Sequence, residues 1–87
     1  MDSKVSRVAV SLAGKDKNHL LAVVSDKGSY ALVCDGKMRP LANPKRKNIK
    51  HLEFTQFVLS QADTVSDPAL RKALLRTKEL MPKESEV

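Results

Sequence analysis

The residues of this 87-residue sequence that could take part in chemistry are mostly cations. There are 16 Lys and Arg against 10 Asp and Glu, a formal net charge of +6. Residues 1–51 carry 11 Lys/Arg and 4 Asp/Glu, a net +7, whereas residues 52–87 carry 5 and 6, a net −1. Because a concentrated positive charge attracts polyanions, this distribution favours nucleic acid or an anionic membrane surface as the partner.

The first basic segment is "AGKDKN", residues 13–18, which lies between two apolar stretches. Gly14 permits a sharp turn, and Asn18 tolerates a left-handed backbone at the end of the loop. We expect Asp16 to accept hydrogen bonds from loop amides, which leaves Lys15 and Lys17 projecting toward phosphates. A plain polar hairpin loop would show the same bare pattern.

The second basic segment runs from residue 37 to residue 50 and contains no acidic residue. Its cations are Lys37, Arg39, Lys45, Arg46, Lys47 and Lys50, and His51 follows directly. A run of charges is often just a solvated face, but an uncompensated run repels itself, so an anionic partner is favoured. Arginines can bind phosphate through two parallel hydrogen bonds or stack on bases, whereas lysines act as point charges.

The sequence predicts no catalytic site, no metal site and no cofactor or small-molecule substrate. The two histidines, His19 and His51, lack the surroundings of a nucleophile or of a metal-binding cluster, and no phosphate-cradling glycine loop is present. Cys34 is the single cysteine, so it cannot form an internal disulfide, and we expect it to be a buried strand residue. One unpaired cysteine fits the reducing cytoplasm.

We expect no signal peptide and no membrane association. The first residues include an acid and lack a long apolar core, and no apolar run approaches the roughly 20 residues that span a bilayer.

Aromatic residues are few: Tyr30, Phe54 and Phe57. Tyr30 shares its alternation with Leu32 and Cys34, so we expect it in the core. Without an aromatic platform, recognition of the backbone and shape of structured RNA is favoured over reading of single bases.

Alternating apolar residues and turn residues predict a mainly β fold. Five short strands are expected at residues 7–12, 20–25, 29–34, 37–42 and 49–54, with a loop at residues 43–48. The first strand is expected to be half-buried and the second to be covered on both faces. Asp35-Gly36 predicts a tight hairpin turn, and Pro40 places the fourth strand at an edge or a bulge. Five strands in so short a stretch indicate a small five-stranded barrel.

After Phe54 the pattern changes to a connector and then to a helix. Ser66 or Asp67 can cap this helix, Pro68 suits its first position, and leucines recur at helical spacing to about Leu80. We therefore divide the chain into a barrel domain at residues 1–55 and a connector with a C-terminal helix at residues 56–87. The helix, at about residues 68–80, is expected to pack its leucine face on the barrel; a partner-docking role is the alternative. The tail "PKESEV" is expected to be frayed.

Three segments together resemble a known family. "VAVSLAGKDKNHLLAVVS" resembles a KOW motif, in which a strand, an "AGKDK" loop and a second strand follow one another. "YALVCDGKMRPLANPKRKNIKHLEFT" and "SDPALRKAL" extend the similarity over about residues 5–75. The chain is similar to the small KOW-domain RNA-binding proteins of Gram-positive bacteria, which are related to ribosomal large-subunit proteins of archaea and eukaryotes.

This resemblance implies an SH3-like β-barrel and binding to ribosomal or other structured RNA. It carries a binding role onto the matching positions Lys15, Lys17, Lys37, Arg39, Lys45, Lys47, Lys50 and His51, to which the basic pattern adds Arg46 and Asn18. The family commonly has glycine where this chain has Asn18, and asparagine can keep the left-handed geometry.

The prediction is a non-enzymatic, cytoplasmic RNA-binding protein that is associated with the ribosome and contacts phosphates through the two basic segments. The alternative is a protein-interaction module of the transcription or translation machinery that uses the barrel edge or the helix. Fold alone does not separate these functions, because SH3-like barrels carry both.

Overall fold

The structure is a computed structural model that describes residues 6–81. Five strands precede one α-helix, and their bounds are β1 Ser6–Ser11, β2 Leu20–Asp26, β3 Tyr30–Cys34, β4 Lys45–Asn48, β5 Leu52–Leu59 and α1 Asp67–Leu80. Short 3₁₀ turns at Ile49–His51 and Gln61–Thr64 lead into and out of β5. The predicted tail at residues 82–87 and the start of the chain at residues 1–5 lie outside the described residues.

The five strands form one antiparallel sheet in the order β4-β3-β2-β1-β5. The mainly β fold with a C-terminal helix is therefore confirmed. The sheet is not closed by hydrogen bonds between its outer strands, β4 and β5, so it is an open sheet with two edges.

The central strands bury side chains on both faces of the sheet. Leu21 and Val23 of β2 belong to a cluster with the β3 residues Ala31 and Val33, on the face away from the helix. Ala22 points the other way and packs in the cluster that contains the helix. Burial of β2 on both faces is thus confirmed, and it explains why this strand is an almost continuous apolar run.

The expectation that β1 is half-buried is wrong. Val8 packs in the helix-side cluster, and Ala9 packs in the opposite cluster; both are completely buried. The helix covers the Val8 face, which alternation predicts to be buried, whereas the Ala9 face, which alternation would leave to solvent, is covered by side chains of the other strands. Tyr30 and Leu32 also differ from expectation, because they are only half-buried while Cys34 is fully buried.

Helix α1 forms where the capping residues predict it. The Ser66 side chain accepts a hydrogen bond from the Ala69 amide at 3.2 Å, and Pro68 occupies the first turn. Leu70, Ala73 and Leu74 are buried against the sheet. The leucine face of the helix is therefore a packing face, as the spacing predicts.

The prediction of a fourth strand at residues 37–42 is wrong. The Asp35 carboxylate accepts hydrogen bonds from the amides of Lys37 and Arg39, both at 2.9 Å, and the Arg39 carbonyl accepts from the amide of Asp35 at 2.9 Å. These bonds close a compact loop and use the backbone groups that a strand would need. Residues 45–48, expected to be part of a loop, form the actual edge strand β4.

Strand β5 also differs from the prediction. Residues 49–51 form a 3₁₀ turn, and the strand continues to Leu59, through residues expected to be a connector. A bulge opposite β1 interrupts it, and there the Thr55 hydroxyl donates to the Val8 carbonyl at 2.7 Å and accepts from the Phe57 amide at 3.1 Å. This internal hydrogen bonding lets a polar sequence continue as a strand.

Candidate nucleic-acid interface

The loop between β1 and β2, residues 12–19, is a compact turn held by its own backbone. Gly14 has φ of 88° and Asn18 has φ of 73°, so both adopt the left-handed conformation that their residue types predict. The Asn18 amide donates to the Ser11 carbonyl at 2.7 Å, which closes the base of the loop. Lys15 and Lys17 are exposed on it.

Asp16 does not have the predicted role of accepting hydrogen bonds mainly from the loop's amides. Its Oδ1 accepts from the Ser11 hydroxyl at 2.7 Å and from Lys47 Nζ at 3.0 Å. Burial raises the pKa of Asp16, but the hydrogen bonds from Ser11 and Lys47 and the positive charge of Lys47 outweigh it, so the pKa lies below its ordinary value of 3.8. The carboxylate is ionised at neutral pH and neutralises a cation of β4.

Lys47 is the cation that Asp16 neutralises, and it differs from its neighbours in being buried. Its side chain is only 8% exposed, and Nζ also donates to the Ala13 carbonyl at 3.0 Å. Two strands, β3 and β2, separate β4 from β1 in the sheet, so this contact joins an edge of the sheet to the β1–β2 loop. Because it is buried and two of its three ammonium donors are used inside the protein, we interpret Lys47 as a structural cation.

The 3₁₀ turn at Ile49–His51 is joined to the same loop. The Leu12 amide donates to the His51 carbonyl at 2.9 Å, while Lys50 and His51 expose their side chains. Two contacts, Lys47 with Ala13 and Leu12 with His51, each join positions more than 30 residues apart. They bring together the exposed cations of the β1–β2 loop, of β4 and of the 3₁₀ turn.

The alternation of β4 divides its cations between two faces of the sheet. Lys45 and Lys47 pair with Val33 and Ala31 of the cluster on the face away from the helix, whereas Arg46 pairs with Leu32 and lies on the opposite face. The Arg46 guanidinium carbon lies 4.1 Å from the centre of the Tyr30 ring, a cation–π contact on an exposed edge strand. The Tyr30 ring therefore packs against the Arg46 guanidinium group and helps to position it.

Lys37 and Arg39 lie in the loop that packs against the start of helix α1. The Arg71 Nη1 donates to the Gly36 carbonyl at 2.6 Å, and the Asp67 carboxylate accepts from the Leu41 amide at 2.8 Å. Lys37 is exposed, whereas Arg39 is half-buried. Arg39 lines a shallow pocket together with Lys45, so this loop adjoins the beginning of β4.

Two residues that build the site do not stand out in the sequence as functional residues. Ser11 is fully buried, and its polar type directly after the apolar residues 8–10 is a weak signal of an internal hydrogen bond. Arg71 reads as a solvated helix residue, and no local pattern indicates that it reaches a carbonyl 35 positions earlier. Within the described part of the chain, ion pairs join Lys47 to Asp16 and Arg76 to Asp63.

The chain matches no known protein-family model, and no curated protein matches it significantly.

Among residues 6–81, no three His, Cys, Asp or Glu side chains are grouped closely enough to hold a metal ion. The helix in this part of the chain is too short and too polar to cross a membrane. Burial, together with the negative charges of Asp35 and Asp67, raises the pKa of Cys34 to about 11, so the thiol is protonated and a poor nucleophile.

Proposed function

We propose that this protein is a non-enzymatic RNA-binding domain that contacts the phosphate backbone of structured RNA, ribosomal RNA above all, as a ribosome-associated factor. The observation that carries the proposal is the contact of Lys47 with Ala13 and Asp16. It joins the two basic segments that are far apart in the chain, and it leaves the cations around it exposed. An exposed group of cations on a rigid frame is suited to a polyanion with regularly spaced charges.

We propose also that the sheet curls into an open form of the SH3-like barrel that the KOW resemblance implies. The Lys47–Asp16 pair supports this, because it links the β4 edge to the β1–β2 loop. The hydrogen bond from the Leu12 amide to the His51 carbonyl joins the same loop to the 3₁₀ turn, and these two segments carry Lys15, Lys17 and Lys50.

The cations assigned to RNA contact are the exposed ones. They are Lys15, Lys17, Lys37, Lys45, Arg46 and Lys50, with the half-buried Arg39 and the exposed Asn18 and His51 beside them. Lys47 acts by holding the loop in place. A cytoplasmic location, expected from the sequence, is part of this proposal.

The experiment measures binding to ribosomal RNA by filter retention across a salt series. If about five phosphates are neutralised, log affinity falls with log salt at a slope of about −3.5 to −4.5. The double variant Lys15→Gln/Lys17→Gln should make the slope shallower by about 1.4 to 1.8. Its control, Lys72→Gln/Lys78→Gln, removes two exposed charges from α1 and should leave the slope unchanged.

Two outcomes contradict the proposal. One is the absence of binding, or binding that is independent of salt, even at low ionic strength. The other is an equal loss of affinity in both double variants, because it would mean that only the net charge matters and that the β1–β2 loop is no special contact.

The alternative, a protein-interaction module, is favoured by the exposed leucines of α1. Leu75 is 58% exposed and Leu80 is 66% exposed, although this helix already buries another apolar face. Leu75→Ser should leave RNA affinity unchanged under the RNA-binding proposal. If the helix docks a protein of the ribosome, the same change should release the domain from ribosomal particles while its affinity for free RNA stays the same.

A further inference from the structure

A small pocket lies between the loop that follows β3 and the first residue of β4. It has a volume of about 270 Å³ and is lined by Met38, Arg39, Pro40, Asn43, Pro44 and Lys45; we call it the 38–45 pocket. Pockets for drug-sized ligands start at about 300 Å³. The 38–45 pocket therefore suits one small group rather than a drug-sized molecule.

The walls of the 38–45 pocket are held in place before anything binds. On one side, Asp35 accepts hydrogen bonds from the amides of Lys37 and Arg39. On the other, the Leu41 amide is held by Asp67 at 2.8 Å, and the Asn43 amide donates to the Pro40 carbonyl at 3.0 Å. Because the loop is already ordered, a ligand would not have to offset the entropy of ordering it.

The lining combines the three kinds of group that one nucleotide needs. Arg39 and Lys45 supply positive charge with no carboxylate among the lining residues, so the pocket attracts a phosphate. Asn43 has an exposed side-chain amide, which both donates and accepts, as the edge of a base does. Met38 is 68% exposed and, with the neighbouring prolines, provides apolar surface for the face of a base.

A second depression in the described part of the chain lacks this combination. It is larger, about 560 Å³, and is lined by Arg7, Val23, Val24, Ser25, Asp26 and Phe54. There a carboxylate accompanies the single cation, so the lining has no net attraction for a phosphate. It also shares no residue with the two basic segments.

We propose that the 38–45 pocket receives one unpaired nucleotide of the bound RNA, with its phosphate at Arg39 and Lys45 and its base against Met38 and Asn43. This inference rests on the proposed RNA-binding function and deepens it. The exposed cations would bind any suitably shaped backbone, whereas the 38–45 pocket would make the protein prefer RNA with a bulged or unstacked base over a continuous duplex.

The test compares three short RNA hairpins of one sequence. The first is fully paired, the second has one additional unpaired 2-aminopurine, and the third has an abasic nucleotide at that position. The abasic hairpin keeps the extra phosphate and the distortion of the helix, so it isolates the contribution of the base. Affinity is measured by competition, and the environment of the 2-aminopurine by its fluorescence.

We expect the hairpin with 2-aminopurine to bind at least about threefold more tightly than the other two, the effect of about one net hydrogen bond. The double variant Met38→Ala/Asn43→Ala should abolish this preference and the fluorescence change, and its affinity for the fully paired hairpin should stay as it is. The control Leu75→Ala/Gln56→Ala truncates an exposed apolar residue and an exposed amide elsewhere, and it should keep the preference.

The two proposals fail in different ways. If all three hairpins bind equally with a steep salt dependence, or if the pocket variant keeps the preference, the 38–45 pocket is not a nucleotide site and the RNA-binding function stands. If none of the hairpins binds at low salt, the RNA-binding function itself is wrong, and the inference falls with it.

Discussion

The substitution Lys47→Met tests whether the most buried cation of the basic segments is structural. Methionine keeps most of the length and volume of the side chain but removes the ammonium group. The change deletes two hydrogen bonds of 3.0 Å, to Asp16 Oδ1 and to the Ala13 carbonyl. It also leaves a partly buried carboxylate without its counter-ion, and such unpaired charges are a major cause of destabilisation.

The expected loss follows from the exposure of the two partners. Removing one partner of a fully buried ion pair costs about 3–5 kcal/mol. Asp16 is still 20% exposed, so water can hydrate it, and it keeps the hydrogen bond from Ser11. We therefore expect Lys47→Met to lower the free energy of unfolding by about 2 kcal/mol. A domain of 87 residues has a total of about 4–13 kcal/mol, so the loss is large.

The measurement is urea unfolding followed by circular dichroism. With an m-value near 1 kcal/mol/M, the midpoint should fall by about 2 M. The control is Lys45→Met, which removes an exposed lysine from the same face of the same strand and should change stability by less than about 0.5 kcal/mol. A double-mutant cycle with Asp16→Asn should give a coupling energy of about 1–2 kcal/mol.

The reasoning would be refuted by a Lys47→Met variant as stable as the wild type. It would be refuted equally if the variant kept its stability but lost as much RNA affinity as Lys15→Gln/Lys17→Gln, since Lys47 would then contact phosphate directly. A stability loss with an almost unchanged salt slope is the result that the buried position of Lys47 requires.

Three further predictions concern stability and reactivity. Because folding lowers the pKa of Asp16, the ionised carboxylate stabilises the fold above the unfolded pKa of about 3.8, and this stabilisation is lost as the pH falls below that value. When the free energy of unfolding is measured against pH, Asp16→Asn should flatten the acidic part of the curve. Gly36→Ala should lower the free energy of unfolding in urea by about 3 kcal/mol, because Gly36 has φ of 79° and an added Cβ would lie 2.6 Å from the Asp67 carbonyl oxygen. Its control, Gly28→Ala, should lower it by only about 1 kcal/mol, because Gly28 has φ of 95° but open space around it. Cys34, fully buried with a pKa of about 11, should resist alkylation by iodoacetamide at pH 8 in the folded protein and react in urea, and rapid native-state alkylation would contradict its burial.

Gly36 also shows why the Asp35-Gly36 pair misled the prediction of a hairpin. Its left-handed φ agrees with the turn signal. The signal carries no information on what surrounds the turn, and here the start of α1 lies directly against it. The backbone amides of Lys37, Arg39 and Leu41 donate to Asp35 and to Asp67 of the helix instead of to a neighbouring strand, so no fourth strand forms there.

The edge strand shows the opposite error. Residues 45–48 have the composition of a solvated loop, and β-propensity disfavours a strand of lysine, arginine and asparagine. They form β4 because the neighbouring β3 offers an unpaired edge, and because Lys47 finds a carboxylate and a carbonyl in the β1–β2 loop. Charged residues on an edge strand also discourage pairing with another chain.

The sequence by itself determined the mainly β fold, the central strands β2 and β3, the left-handed turn at Asn18 and the capped helix α1. These features depend on side-chain alternation, on the φ preferences of single residues and on capping groups within a few positions, all of which are local. It also determined the positive charge of the first 51 residues.

The tertiary structure decided which cations are free. Lys47 cannot be distinguished from Lys45 or Lys50 by its neighbours in the chain, yet it alone of these three is buried and paired with Asp16. The pairing depends on the tertiary fold, which brings Lys47 of β4 to Asp16 of the β1–β2 loop, 31 positions away in the chain. Ion pairing and burial depend on residues that are close in space but distant in the chain. A run of charges in the sequence therefore shows how many cations are present, and only the fold decides which of them stay exposed to a partner.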